Sequence, residues 1–167
     1  MTLNATDPHL EAALELQNLH AGRQSLGPTL DRIVASVANR METDVGSLYL
    51  LESEGTSLVL MSTVGLLQSC VGNLRMQLHE GLVGLVAQQR APVVLPRATE
   101  HPRFKYFPQA DEDKYQSFLG VPILHGRKLQ GVLVVQTIEP RDYAAAETSL
   151  LAGIADRLGP SLESCAG

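Results

Sequence analysis

Residues 117–136 read SFLGVPILHGRKLQGVLVVQ. Two apolar runs rich in Val, Ile and Leu flank a polar break around Gly126, so QSFLGVPILH (116–125) and KLQGVLVVQTI (128–138) are expected as two joined strands. Pro122 has no N–H for a ladder and predicts a bulge or an edge position in the first of them. Beyond the pair, Tyr143, Ala146, Leu150, Leu151, Ile154 and Leu158 recur on one helical face, which Gly159-Pro160 is expected to interrupt. Further upstream, VGSLYLL (45–51) and LVLMSTV (58–64) are β-rich runs separated by SEGTS, a hairpin with its turn at Gly55. GLVGLVAQQR (81–90) returns to a helical period through Leu82, Leu85 and Val86; Pro92 stops it, and a short strand over 92–95 follows.

Helical patterns also open the chain. Leu30, Ile33, Val34, Val37, Ala38 and Met41 share one face, with Ser25 and Pro28 as start signals, and a weaker stripe of Leu10, Ala13 and Leu14 marks an earlier helix in need of a partner. Terminal helices bracketing a mainly antiparallel sheet define an α+β domain.

Between the strands at 92–95 and 116–125 lies a polar, proline-interrupted excursion, 96–115, that carries HPRFKYFP. Connections of this length are commonly functional or disordered. Five of the seven Phe and Tyr residues of the chain, namely Phe104, Tyr106, Phe107, Tyr115 and Phe118, fall in it or just after it. Disordered segments avoid aromatics, so this one is expected to fold back over the sheet and roof a small-molecule pocket. Strand alternation puts Ser47 and Tyr49 on one face. The expected ligand-binding set is therefore Ser47, Tyr49 and Phe118 from the sheet, with Arg103, Phe104, Tyr106 and Phe107 from the loop. Arg103 is the cation for a ligand carboxylate or, equally, for the nearby Asp111–Asp113 run. His101, before a proline, is expected to cap the loop backbone more readily than to meet a ligand.

The 167 residues fit one domain, 44% hydrophobic and 19% charged, with a net charge of −5. Scattered cations on an acidic chain disfavour nucleic-acid binding, and no run approaches a membrane span. The polar N-terminus lacks the features of a secretory signal, which gives a cytoplasmic expectation. Neither GxSxG, HExxH nor GxxxxGK[ST] occurs. The five histidines form no i, i+4 pair, and Cys70 and Cys165 stand in no redox or metal-ligand spacing. No catalytic residue, metal or cofactor is expected.

The order of elements, together with YLL near 49, HEGLVGLVA (79–87), SFLGVPI (117–123) and GVLVVQ (131–136), resembles a GAF domain over about residues 26–158. HPRFKYFP, SFLGVPILH and LQGVLVVQ in that order are similar to the GAF domain that precedes the phosphotransfer machinery of nitrogen-system enzyme I. The resemblance implies a six-stranded antiparallel sheet, terminal helices on one face, a ligand pocket under a loop on the other, and homodimers through the terminal helices. It further implies a non-catalytic sensor of nitrogen status, with glutamine or 2-oxoglutarate as the signal and catalysis in later domains that have no counterpart in this sequence. Residues 1–25 then form an N-terminal helix and 159–167 a tail.

Departures set other branches aside. Gln136-Thr137 stands where cyclic-nucleotide binders carry Asn-Lys, and Cys70, in SCVGN, lacks the neighbouring histidine of bilin attachment. Two alternatives accompany the sensor reading. One is a thiol-dependent reductase of the free methionine-R-sulfoxide type using Cys70, although GLVGL replaces that group's cysteine-bearing helix start. The other is a dimerisation module without a ligand. The dimer expectation rests on helices 9–20 and 143–158, with Leu10, Leu14, Leu19 and Leu150 as surplus apolar surface.

Overall fold

A computed structural model describes residues 26–108 and 114–165. Its elements are α1 (Gly27–Met41), β1 (Val45–Leu51), β2 (Ser57–Val64), β3 (Arg75–Gln77), α2 (Gly81–Gln89), β4 (Val93–Leu95), β5 (Phe118–His125), β6 (Lys128–Gln136) and α3 (Ala145–Cys165). The strands form one antiparallel sheet in the order β3-β2-β1-β6-β5-β4. This is the six-stranded α+β architecture expected. The periodicity of the residues reveals five of these strands; β3, with three residues, is too short to show a period.

Side-chain alternation splits the interior into two cores, one on each face of the sheet. On the first face, Leu48, Leu50, Leu119, Val121, Ile123, Leu133 and Val135 meet the apolar stripes of α1 and α3. Both helices approach closely because glycine stands at the contact. A Cβ at Gly46 would lie 2.8 Å from the Val34 carbonyl oxygen of α1, and one at Gly159 of α3 would overlap the Leu124 carbonyl of β5. On the second face, Tyr49, Val132, Val134 and Phe118 meet α2 and the segment that follows β4.

Pro122 follows the edge expectation: β4 pairs only with Phe118–Gly120, leaving that side of β5 open from Val121 onward. A register shift against β6 comes just after it, between Ile123 and Leu124. Three expectations are corrected. Tyr143 precedes α3 instead of lying on its face. Pro160 does not interrupt α3, which continues to Cys165; Pro160 and Asp156 are both exposed, so water can satisfy the carbonyl that the proline leaves free. Leu150 is not surplus surface, for it is 6% exposed and belongs to the first core of its own chain. Residues 9–20 and 111–113, on which part of the dimer expectation and the Asp111–Asp113 pairing rested, lie outside the described residues. Among the described residues, no helix is long and apolar enough to cross a membrane.

Candidate functional site

The second face is where the sequence places its ligand set. Tyr49 and Phe118 are buried at 1% and 2% exposure. Ser47 and Tyr49 share this face, opposite Val134 and Val132 of β6. The Ser47 hydroxyl is satisfied across the sheet by Thr63 Oγ1 at 2.9 Å, so its first role is structural. From the loop, Phe107 is buried and Phe104 half-buried, and both pack on this core. Tyr106 is not brought in, lying at the surface at 46% exposure, and Tyr49, though buried on this face, does not line the pocket described next.

Phe104, Lys105, Phe107, Phe118, the start of α2 (Leu82, Val83) and Gln136 line a small pocket of about 20 Å³. That space holds about one water molecule. The roof thus closes on the sheet with its own rings filling the room that a metabolite would need, which is on the order of 300 Å³ or more. A wider, open groove of about 570 Å³ lies elsewhere, between the β1–β2 turn, the start of β6 and the ends of α1 and α3. Nothing in the sequence singled it out, because its walls mix Glu52, Glu54, Lys128 and Leu162 without a motif.

Polar clasps hold the roof to α2. Arg103 Nη1 donates to Gln88 Oε1 at 2.9 Å, and Nη2 makes longer contacts to the carbonyls of Leu78 (3.4 Å) and Gly81 (3.3 Å). Its Nε is buried with no hydrogen-bond partner among the described residues. The guanidinium therefore faces the entry of α2 in this closed conformation instead of presenting itself to the cavity. Lys105 pairs with Glu80 and lies over the Phe107 ring, 5.2 Å from its centre. The hydrogen bond from Lys105, then that from the Gln77 amide, pulls the Glu80 carboxyl below its ordinary 4.5. His101 caps as expected, its Nδ1 accepting from the Arg103 amide at 3.0 Å.

Gln136 and Ala98 are cavity residues that sequence reasoning missed. Gln136 could have been found from its register: it alternates onto the second face with Val132 and Val134, a buried polar residue in an otherwise apolar row. Cys70 is 2% exposed within the second core. No group of three His, Cys, Asp or Glu side chains suited to a metal gathers among the described residues.

With this geometry in place, the comparison with known families is direct: the model of the GAF domain matches residues 25–162. The chain belongs to the GAF domain family. This GAF domain is 37% identical to the GAF domain of the Acinetobacter phosphoenolpyruvate-protein phosphotransferase, covering 98% of this chain and 95% of that one at a TM-score of 0.79. It is also 37% identical over 142 residues to a protein of the Escherichia coli phosphoenolpyruvate-dependent phosphotransferase system. That alignment takes in 85% of this chain but 19% of the relative, so the GAF domain spans about a fifth of that protein's length. A free methionine-R-sulfoxide reductase from Neisseria meningitidis shares the fold alone, at 18% identity and a TM-score of 0.73 over 99% of this chain and 96% of that one.

Proposed function

We propose that this GAF domain is a non-catalytic sensor of a small polar metabolite and the regulatory module of a phosphoenolpyruvate-dependent phosphotransferase enzyme I, reporting nitrogen status. Glutamine and 2-oxoglutarate are the candidate ligands. The observation that carries the reading is the ring-lined cavity beneath residues 98–108, shut by a few exposed or half-exposed clasps, in a chain most of whose length aligns with the GAF domain of such a phosphotransferase. Opening releases the clasps and lets Tyr49, Phe104, Phe107 and Phe118 wall the ligand, with Ser47 beneath it. Arg103 then exchanges Gln88 for a ligand carboxylate, a stronger partner because the acceptor is charged. Tyr106 takes no part in the closed form. Homodimerisation remains part of the proposal and falls to residues 9–20 and the exposed face of α3.

The reductase alternative loses its premise, since a catalytic thiol must be accessible and ionisable and Cys70 is buried among apolar side chains. A thermal-shift screen of amino acids, 2-oxo acids and nucleotides tests the sensor reading. A ligand at 100 times its Kd adds about 2.7 kcal/mol of stability. Glutamine or 2-oxoglutarate raising Tm, with the rise lost in Phe107→Asp, supports it; no shift with any compound in the screen overturns it.

A further inference from the structure

Away from the cavity, three hydroxyls meet in the interior at the point where the roof ends and the C-terminal helix begins. Ser117, Thr137 and Tyr143 are all buried. Ser117 Oγ lies 2.5 Å from Thr137 Oγ1 and 2.7 Å from the Tyr143 hydroxyl, and it accepts the Thr137 amide at 3.0 Å. Ser117 directly precedes β5, Thr137 directly follows β6, and Tyr143 stands two residues before α3. We propose that these hydroxyls form a relay that couples the packing of Phe118 in the cavity wall to the root of α3.

Both ends of the relay are mechanically tied. At the cavity end, Phe118 is the next residue after Ser117 and projects to the opposite face. Its ring rests on Gly120: a Cβ there would lie 2.8 and 2.9 Å from two ring carbons and 2.9 Å from a methyl of Val86. The ring has no room to retreat along the strand, so pressure from the cavity passes to the backbone of residues 117 and 118. A second tie comes from the roof itself. The amide of Ala98, a cavity residue, donates to the Gln116 carbonyl at 2.6 Å, and the Gln116 and Ser117 amides both donate to the Thr137 carbonyl, at 2.9 and 3.2 Å.

At the helix end, the Tyr143 ring is gripped by the Arg141 guanidinium, 4.9 Å from its centre, and Arg141 pairs with Glu147 in the first turn of α3. The Ala144 carbonyl, one residue on, accepts from the amides of Glu147 and Thr148. Displacing Ser117 therefore strains or breaks the bond to Tyr143 and loosens the first turn of α3. Because buried hydroxyl groups left without partners are unfavourable, the network favours one arrangement over a graded slide. The proposed sensor reading supplies what drives the relay; the relay itself is internal to the chain.

The test needs no ligand. Gly120→Ala displaces the Phe118 ring from within, and amide hydrogen exchange reads the protection of residues 147–151. The expected result is a fall of about tenfold in protection in the otherwise unchanged protein, shrinking to less than about twofold when Gly120→Ala is added to Tyr143→Phe. If Gly120→Ala does not fold, Phe118→Leu takes its place in the same comparison. Unchanged protection at 147–151, or an equal change in both backgrounds, overturns the relay. Either outcome leaves the metabolite reading to its own screen.

Discussion

Arg103 Nη1 and Gln88 Oε1 meet at 2.9 Å, fastening the aromatic segment to the last turn of α2. The cation that the sequence offers equally to a ligand carboxylate and to Asp111–Asp113 is here a latch on α2. Arg103→Ala should therefore destabilise the ligand-free protein by about 1 kcal/mol, the net value of one such bond, and raise amide exchange in residues 101–107. Equal stability and unchanged exchange would return Arg103 to a purely ligand-directed role.

Tyr143 links a stability effect to pH. Burial pushes its phenol above the ordinary 10.0, and the hydrogen bond with Ser117 offsets this only in part. The folded state thus keeps the proton that the unfolded chain gives up first. Its stabilising contribution is whole below about pH 10 and is lost as the pH climbs through the higher folded value. Chemical denaturation across pH 8 to 11 should show this decline, and Tyr143→Phe should flatten it while lowering stability at neutral pH by about 1 kcal/mol.

Two glycines in α3 should respond in opposite directions. A Cβ at Gly159 overlaps the Leu124 carbonyl, so Gly159→Ala must push the helix off β5 and should cost about 3 kcal/mol. Gly153 has nothing within 4 Å, and Gly153→Ala should stabilise by about 0.5 to 1 kcal/mol through helix propensity. Melting curves of the two variants decide this; similar losses in both would refute the account of helix seating.

Cys70 should behave as a core residue. In Cys165→Ser protein a thiol reagent should react with it slowly under native conditions and rapidly in denaturant, and no turnover of free methionine sulfoxide should be seen. Rapid native labelling, or turnover abolished by Cys70→Ser, would restore the enzyme reading.

What could be read in advance follows from how locally each feature is encoded. The β5–β6 pair, the β1–β2 hairpin and the three described helices each carry a period long enough to see, and the roof was betrayed by the crowding of Phe104, Phe107 and Phe118 in a chain poor in aromatics. β3 was too short. The orientations of Arg103 and Tyr106 were out of reach because neighbouring loop residues have no period to sort them inward or outward; the tertiary partners Gln88 and Leu78 settle the first. The continuation of α3 through Pro160 depended on solvent exposure, which no local signal reports.

The division of the interior by the sheet has a consequence for how such a domain can change over generations. Side chains of the α1–α3 core and of the roofed core pack in separate clusters. A lineage can then exchange Phe107, Met76 or Leu82 and repack the roofed core without reopening the packing of α1 and α3, since substitutions that share no neighbours act independently. The exception is the junction at Ser117 and Phe118, adjacent residues committed to opposite faces. A change at that junction must be reconciled with the packing on both faces at once.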